Sequence, residues 1–179
     1  MTNDQVIEGK SDIVKLAARA IEAYVREQRT IDKGEFPKLT DELRGEAGVF
    51  VCIKKDGELR GCIGTLQPTR SNIAEEVICN ATNSCSRDPR FLTVKEDELS
   101  DLEVSVDVLE EPEKVSDPSM LDPKRYGVIV RSHGRVGLLL PDLEGVDDVR
   151  NQVSIAKQKA GIGADEPVEL FRFTVTRYH

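Results

Sequence analysis

The chain has 179 residues, with 25 basic and 33 acidic side chains for a formal charge of −8, and it is 39% hydrophobic and 32% charged. These proportions describe a folded chain with apolar material for one substantial core or two closely packed lobes, and the acidic balance argues against non-specific attraction to nucleic acid or anionic lipid. No apolar run approaches the roughly 20 residues of a membrane span, and the opening MTNDQVIEGKSD lacks the basic and apolar regions of a signal peptide, so a cytoplasmic protein is expected.

In chain order, a helix is expected over 11–30. Ile13, Leu16, Ala17, Ala20, Ile21 and Tyr24 recur at helical spacing, and Ser11 stands where a cap belongs. TIDKGEFPKLTDELRGEAG mixes glycine, proline and charge and reads as a connection. GVFVCIKKDGELRGCIGT then places two β-rich runs around Asp56-Gly57, a hairpin signal, because both central residues of a type I′ turn need positive φ. A two-residue loop pairs Val51 with Cys62, Ile53 with Arg60, Cys52 with Gly61 and Phe50 with Ile63. That register puts Cys52 and Cys62 on opposite sheet faces, so no disulfide between them is expected.

SNIAEEVICNATNSCSRDPRF reads as a second helix capped by Ser71, with Ile73, Val77, Ile78, Ala81 and Cys85 on its apolar side, and it must stop near Arg87, ahead of Pro89. LEVSVDVLE alternates like a half-buried strand, and Pro-containing loops follow. YGVIVRSHGRVGLLLP repeats the hairpin pattern with His133-Gly134 at its turn, GVDDVRNQVSIAKQKAGIG gives a helix ending at Gly161, and VELFRFTVTRY gives a last strand. Residues 47–110 and 126–178 thus share the order hairpin, helix, strand. The simplest assembly is an α+β fold in which both halves build one curved, mainly antiparallel sheet flanked by helices.

Four cysteines, Cys52, Cys62, Cys79 and Cys85, include no C-x-x-C pair, and His133 and His179 lie far from them, so neither a metal site nor a cofactor is expected. Taken singly, each cysteine reads as a small buried hydrophobe, and His133 as a turn residue. Arg60 and Cys62 are two apart on one strand, about 6–7 Å along it, and a neighbouring cation makes thiolate available. Gly61 and Gly64 either clear space beside that sulfur for a ligand or permit tight sheet curvature. Arg87, Asp88 and Arg90 cluster past a helix end, where paired guanidinium groups suit a carboxylate or phosphate; the alternative is a helix stop locked by Arg87–Asp88 pairing. The catalytic candidates are therefore Cys62 and Arg60, and the binding candidates Gly61, Gly64, Thr65, Arg87, Asp88 and Arg90.

LRGCIGT at 59–65, RDPRF at 87–91, GRVGLLLP at 134–141 and QKAGI at 158–162 resemble, in order, the signature segments of the AMMECR domain family, also called AmmeMemoRadiSam system protein A. The resemblance is clearest from about Ala47 to Tyr178. It implies a single domain with an α+β, barrel-like sheet built from two related halves, and association with a MEMO-type protein and a radical SAM protein. It supplies no reaction. Two readings follow: an enzyme or enzyme subunit using a Cys/Arg cleft on a small anionic or aromatic substrate, or a non-catalytic binding module that presents a surface to a protein.

Overall fold

The N-terminal apolar stripe forms α1, Asp12–Glu27, in a computed structural model that describes residues 11–35 and 40–179. The first ten residues, which hold most of the stretch read as unlike a signal peptide, and residues 36–39 of the expected connection lie outside the described residues. Ile13, Leu16, Ala17, Ala20 and Ile21 are buried along α1. Ser11 takes the N-cap position, but its hydroxyl makes no capping bond and is buried without a partner among the described residues, so the expected cap is positional only. The connection holds a short helix, α2, Asp41–Arg44.

Both hairpins form where the turn residues place them. β1, Val49–Lys55, and β2, Glu58–Gly64, meet at Asp56 and Gly57, with φ of 53° and 80°. β5, Gly127–Ser132, and β6, Arg135–Leu139, meet at His133 and Gly134, with φ of 46° and 79°. α3, Ile73–Ser86, and β3, Leu102–Leu109, complete the first half; α4, Val149–Lys159, and β7, Glu169–Phe173, complete the second. The cap of α3 is Asn72, whose side chain accepts from the Glu75 amide, one residue beyond the expected Ser71.

The described residues fall into two compact units, one running to Val108 and rejoined by Thr176–His179, the other Leu109–Val175. The first holds a four-stranded sheet in the order β2-β1-β3-β8, where β8 is Val175–Tyr178; Val49, Val51, Ile53 and Val106 pack with Leu16, Ile21, Val77 and Ala81 of the helices. The second holds a sheet in the order β4-β7-β5-β6, where β4 is Glu113–Val115, over a core including Val128, Val130, Leu139, Ala156 and Ile162. Two sheets thus replace the single curved sheet expected from the sequence, and they are not closed into a barrel. The run read as one last strand breaks at Thr174 into β7 and β8, each in a different sheet. Between β3 and β4, Pro112 offers no N–H to a ladder. The two breaks are joined: the Glu110 amide donates to the Thr174 carbonyl at 3.0 Å, and the Thr174 hydroxyl to the Glu110 carboxylate at 2.6 Å.

The repeat of form extends to single residues. In the second hairpin the third pair from the turn is Val130 with Gly137, and in the first it is Ile53 with Gly61. Both glycines take a helix backbone at close range: a Cβ on Gly61 would lie 2.2 Å from the Ser84 carbonyl oxygen of α3, and one on Gly137 would lie 2.0 Å from the Ala156 carbonyl oxygen of α4. The first hairpin differs by one inserted residue. Lys55 pairs with Glu58 and Lys54 with Leu59, as a two-residue turn requires, but Ile53 then pairs with Gly61, leaving Arg60 as a bulge.

Candidate functional site

That bulge overturns the expected register. Beyond it every pairing slips by one, so Cys52 faces Cys62 and Phe50 faces Gly64. A one-residue slip exchanges sheet faces. Cys52 and Cys62 therefore share the face turned away from the buried Val51 and Ile53, and they are joined as a disulfide, with Cα atoms 4.1 Å apart. The sequence expectation of opposite faces and no disulfide is corrected, because a turn fixes register only as far as the first bulge. In this state Cys62 presents no thiol.

The rest of LRGCIGT is taken up by the fold. Arg60 donates from Nε and Nη2 to the two Glu98 oxygens, each at 2.9 Å, and from Nη1 to the Leu92 carbonyl at 2.9 Å. The Arg60 hydrogen bonds hold the Glu98 carboxyl down at about 2. The guanidinium is thus committed to Glu98 rather than to activating Cys62. Gly61 admits α3, and a side chain on Gly64 would enter the Phe50 ring. The Thr65 hydroxyl donates to Glu76 at 2.8 Å. Glu76, fully buried, also accepts from the Thr69 amide and hydroxyl and the Arg70 amide, at 2.8, 2.8 and 2.9 Å, and so folds the loop leading to α3.

RDPRF is split by the fold into two jobs. β2 is an edge strand, and the outward N–H and C=O of Cys62 would otherwise be bare. Asp88, 4% exposed, accepts from the Cys62 amide at 2.9 Å, and Arg90 Nη2 donates to the Cys62 carbonyl at 3.3 Å. Arg90 also donates from Nε and Nη2 to Asp88 at 2.9 and 2.7 Å. Led by those bonds, the Asp88 carboxyl is held down at about 2. Asp88 thus pairs with Arg90, not with Arg87, and Arg90 is engaged rather than waiting for an anion. Arg87 stands apart: its guanidinium makes no hydrogen bond or ion pair to any described residue.

Arg87 instead lines a pocket of about 400 Å³ against α1 and α3. Arg70, Cys79, Thr82 and Asn83 share that lining with Thr30 and the carboxylates of Asp32 and Glu75, and Tyr24, Ile31 and Ile78 form its apolar wall. Cys79 is a free, half-buried thiol; Arg70 Nη2 lies 3.4 Å and Asn83 Nδ2 3.6 Å from its sulfur. Its hydrogen bond to Cys79 is the main cause that raises the Arg70 pKa. The lining is thus of mixed charge, and its two guanidinium groups, with apolar side chains in the same pocket, suit an anionic head carried on an apolar or aromatic body.

The AMMECR1 family model matches residues 14–178. The chain belongs to the AMMECR1 family. Its relatives include a Thermotoga maritima protein that is 53% identical, the match covering 95% of this chain and 98% of that one. A Clostridium acetobutylicum protein is 49% identical over 94% of this chain but only 36% of its own, longer sequence. The crystal structure of an uncharacterised Pyrococcus horikoshii protein matches with a TM-score of 0.83 at 33% identity, covering 92% of this chain and 88% of that one.

In this AMMECR1 chain LRGCIGT and RDPRF meet at the edge of the first sheet, whereas GRVGLLLP supplies β6 and QKAGI the end of α4 in the second unit, and apart from Arg87 the pocket draws on residues outside the sequence candidates. Arg70, Thr82 and Asn83 are not among the sequence candidates, and Cys79, expected there as a small buried hydrophobe, is only half-buried, although Glu75, Cys79, Asn83 and Arg87 follow one another at intervals of four and so line one side of α3. Among the described residues no group of three or more His, Cys, Asp or Glu side chains is placed to hold a metal ion, and no helix is long and apolar enough to cross a membrane.

Proposed function

We propose that this protein binds a small anionic ligand with an apolar or aromatic body, its head between Arg70 and Arg87 and its body against Tyr24, Ile31 and Ile78. The observation that carries the reading is Arg87, a guanidinium with no partner among the described residues, in a pocket that already holds a second arginine and a free thiol. Cys79, not Cys62, is then the sulfur that meets the ligand. The family resemblance supports placing this binding step in a cytoplasmic assembly with a MEMO-type protein and a radical SAM protein, with the chain as an enzyme or enzyme subunit. The ligand bound here would be a substrate or product of that assembly.

Phenyl phosphate combines the two features and serves as probe. A ligand that binds only the native state stabilises it by about 2.7 kcal/mol at a hundredfold excess over Kd, which for a chain of this size raises Tm by about 5–10 °C. The expected result is such a rise, together with slower alkylation of Cys79. No rise, with Cys79 alkylated at the same rate, would contradict the reading. A second reading, a protein-docking module without chemistry, is favoured by Leu92, which follows RDPRF directly and is 84% exposed.

A further inference from the structure

We propose that Cys52 and Cys62 are a reversible thiol–disulfide couple whose state sets how firmly residues 87–91 are held on β2. The bulge at Arg60 brings the two residues face to face, with Cα atoms 4.1 Å apart. The Cys62 N–H and C=O point outward to Asp88 and Arg90, so this is a non-hydrogen-bonded cross-strand pair, the kind in which side chains come closest. The two residues are ten apart along one hairpin, whose turn, ladder to β3 and edge clamp use no sulfur atom. A reduced hairpin therefore keeps both thiols adjacent and ready to close again. Both cysteines are half-buried on the face away from the core residues of β1, within reach of a small thiol. Cys85, by contrast, is buried, and burial pushes its thiol up to about 12.

The exchange partner is a low-molecular-weight thiol of the glutathione class. Its thiolate attacks one protein sulfur, forming a mixed disulfide and releasing the other protein sulfur as a thiolate. A second small thiolate then attacks the small-molecule sulfur of the mixed disulfide and frees the remaining protein thiolate, and both protein thiolates take up protons. Two small thiols are thereby oxidised to their disulfide while Cys52 and Cys62 are reduced to thiols; closure runs the same steps in reverse. The coupling follows from one residue carrying both attachments. With the bond closed, the Cys62 side chain is tied to β1 while its amide and carbonyl are tied to Asp88 and Arg90. With the bond open, only the outer tie remains and β2 is freer to leave it.

The test uses the full chain equilibrated in mixtures of reduced and oxidised glutathione, quenched in acid, alkylated and read by peptide mass. Cys52 and Cys62 should change together, from disulfide to two alkylated thiols, with the far-ultraviolet circular dichroism unchanged. In hydrogen exchange, the amides of Cys62 and Arg90, both donors to Asp88, should exchange severalfold faster in the reduced protein. In the Cys52→Ser variant, Cys62 should instead take up one glutathione. Two free thiols after oxidised glutathione would overturn the couple, as would a bond that survives excess dithiothreitol until denaturant is added. Equal exchange in the two states would overturn the link to residues 87–91.

Discussion

Replacing Gly61 with valine is expected to lower stability by about 3 kcal/mol, the upper end of the usual cost of overpacking. By strand propensity alone valine should favour β2 over glycine, so the predicted sign is opposite to the local rule. The obstacle is backbone. A Cβ at position 61 meets the Ser84 carbonyl oxygen at 2.2 Å, and Ser84 cannot yield by turning a side chain, because its carbonyl belongs to α3. The helix must shift, and with it Val77 and Ala81, which are fully buried in the same core. The check is the urea midpoint at fixed redox state, with Leu59→Val on the same strand as control. Leu59 is 40% exposed, and its replacement should change stability by no more than about 0.5 kcal/mol. A fall confined to the midpoint, with an unchanged slope, identifies a stability change rather than a new denatured state.

The second large effect is expected at Glu76. Its carboxylate is fully buried and satisfies four donors: the Thr65 and Thr69 hydroxyls and the Thr69 and Arg70 amides. Glu76→Ala leaves those donors in a dry cavity and should cost about 3 kcal/mol or more; Glu76→Gln keeps one acceptor oxygen and should cost about 2 kcal/mol. Acid should act through the same group. Burial by itself raises the pKa of this carboxyl, but the donors from Thr65, Thr69 and Arg70 outweigh burial and leave it lowered. A folded pKa below the unfolded one means that the native state holds its proton less tightly. The contribution is therefore complete above the unfolded value, about 4.3, and drains away as pH falls through the lower folded value. Urea midpoints of the wild type and Glu76→Gln should accordingly converge as the pH is lowered below about 4.

Particular residues explain what could be read from the sequence. Asp56-Gly57 and His133-Gly134 announced both hairpins because the positive φ of a type I′ turn is a local demand. The stripes of α1 and α3 were legible because burial selects at helical spacing. The Cys52–Cys62 pairing was not legible, since it depends on a bulge at Arg60, a residue whose guanidinium is bonded to Glu98 and Leu92, far away in sequence. Nor was the division of RDPRF. Nothing local distinguishes Arg87 from Arg90; the difference is that the edge of β2 lies beside Arg90. The division of the last strand at Thr174 likewise depends on Glu110, far away in sequence. The repeat of order between the halves was visible, but its residue-level form was hidden by the same one-residue insertion at Arg60.

On the proposed reading the RDPRF arginines are divided, Arg90 holding the fold and Arg87 serving the pocket. The most direct measurement is the thermal midpoint of Arg87→Gln and Arg90→Gln with and without phenyl phosphate. Removing Arg90 takes the ion-pair partner from Asp88, so that variant should lose about 1–3 kcal/mol of stability and keep the full ligand-induced rise. Removing Arg87 breaks no bond within the described residues, so that variant should match the wild type within about 0.5 kcal/mol and lose most of the rise. A full rise in Arg87→Gln, or its loss in Arg90→Gln, would contradict the division.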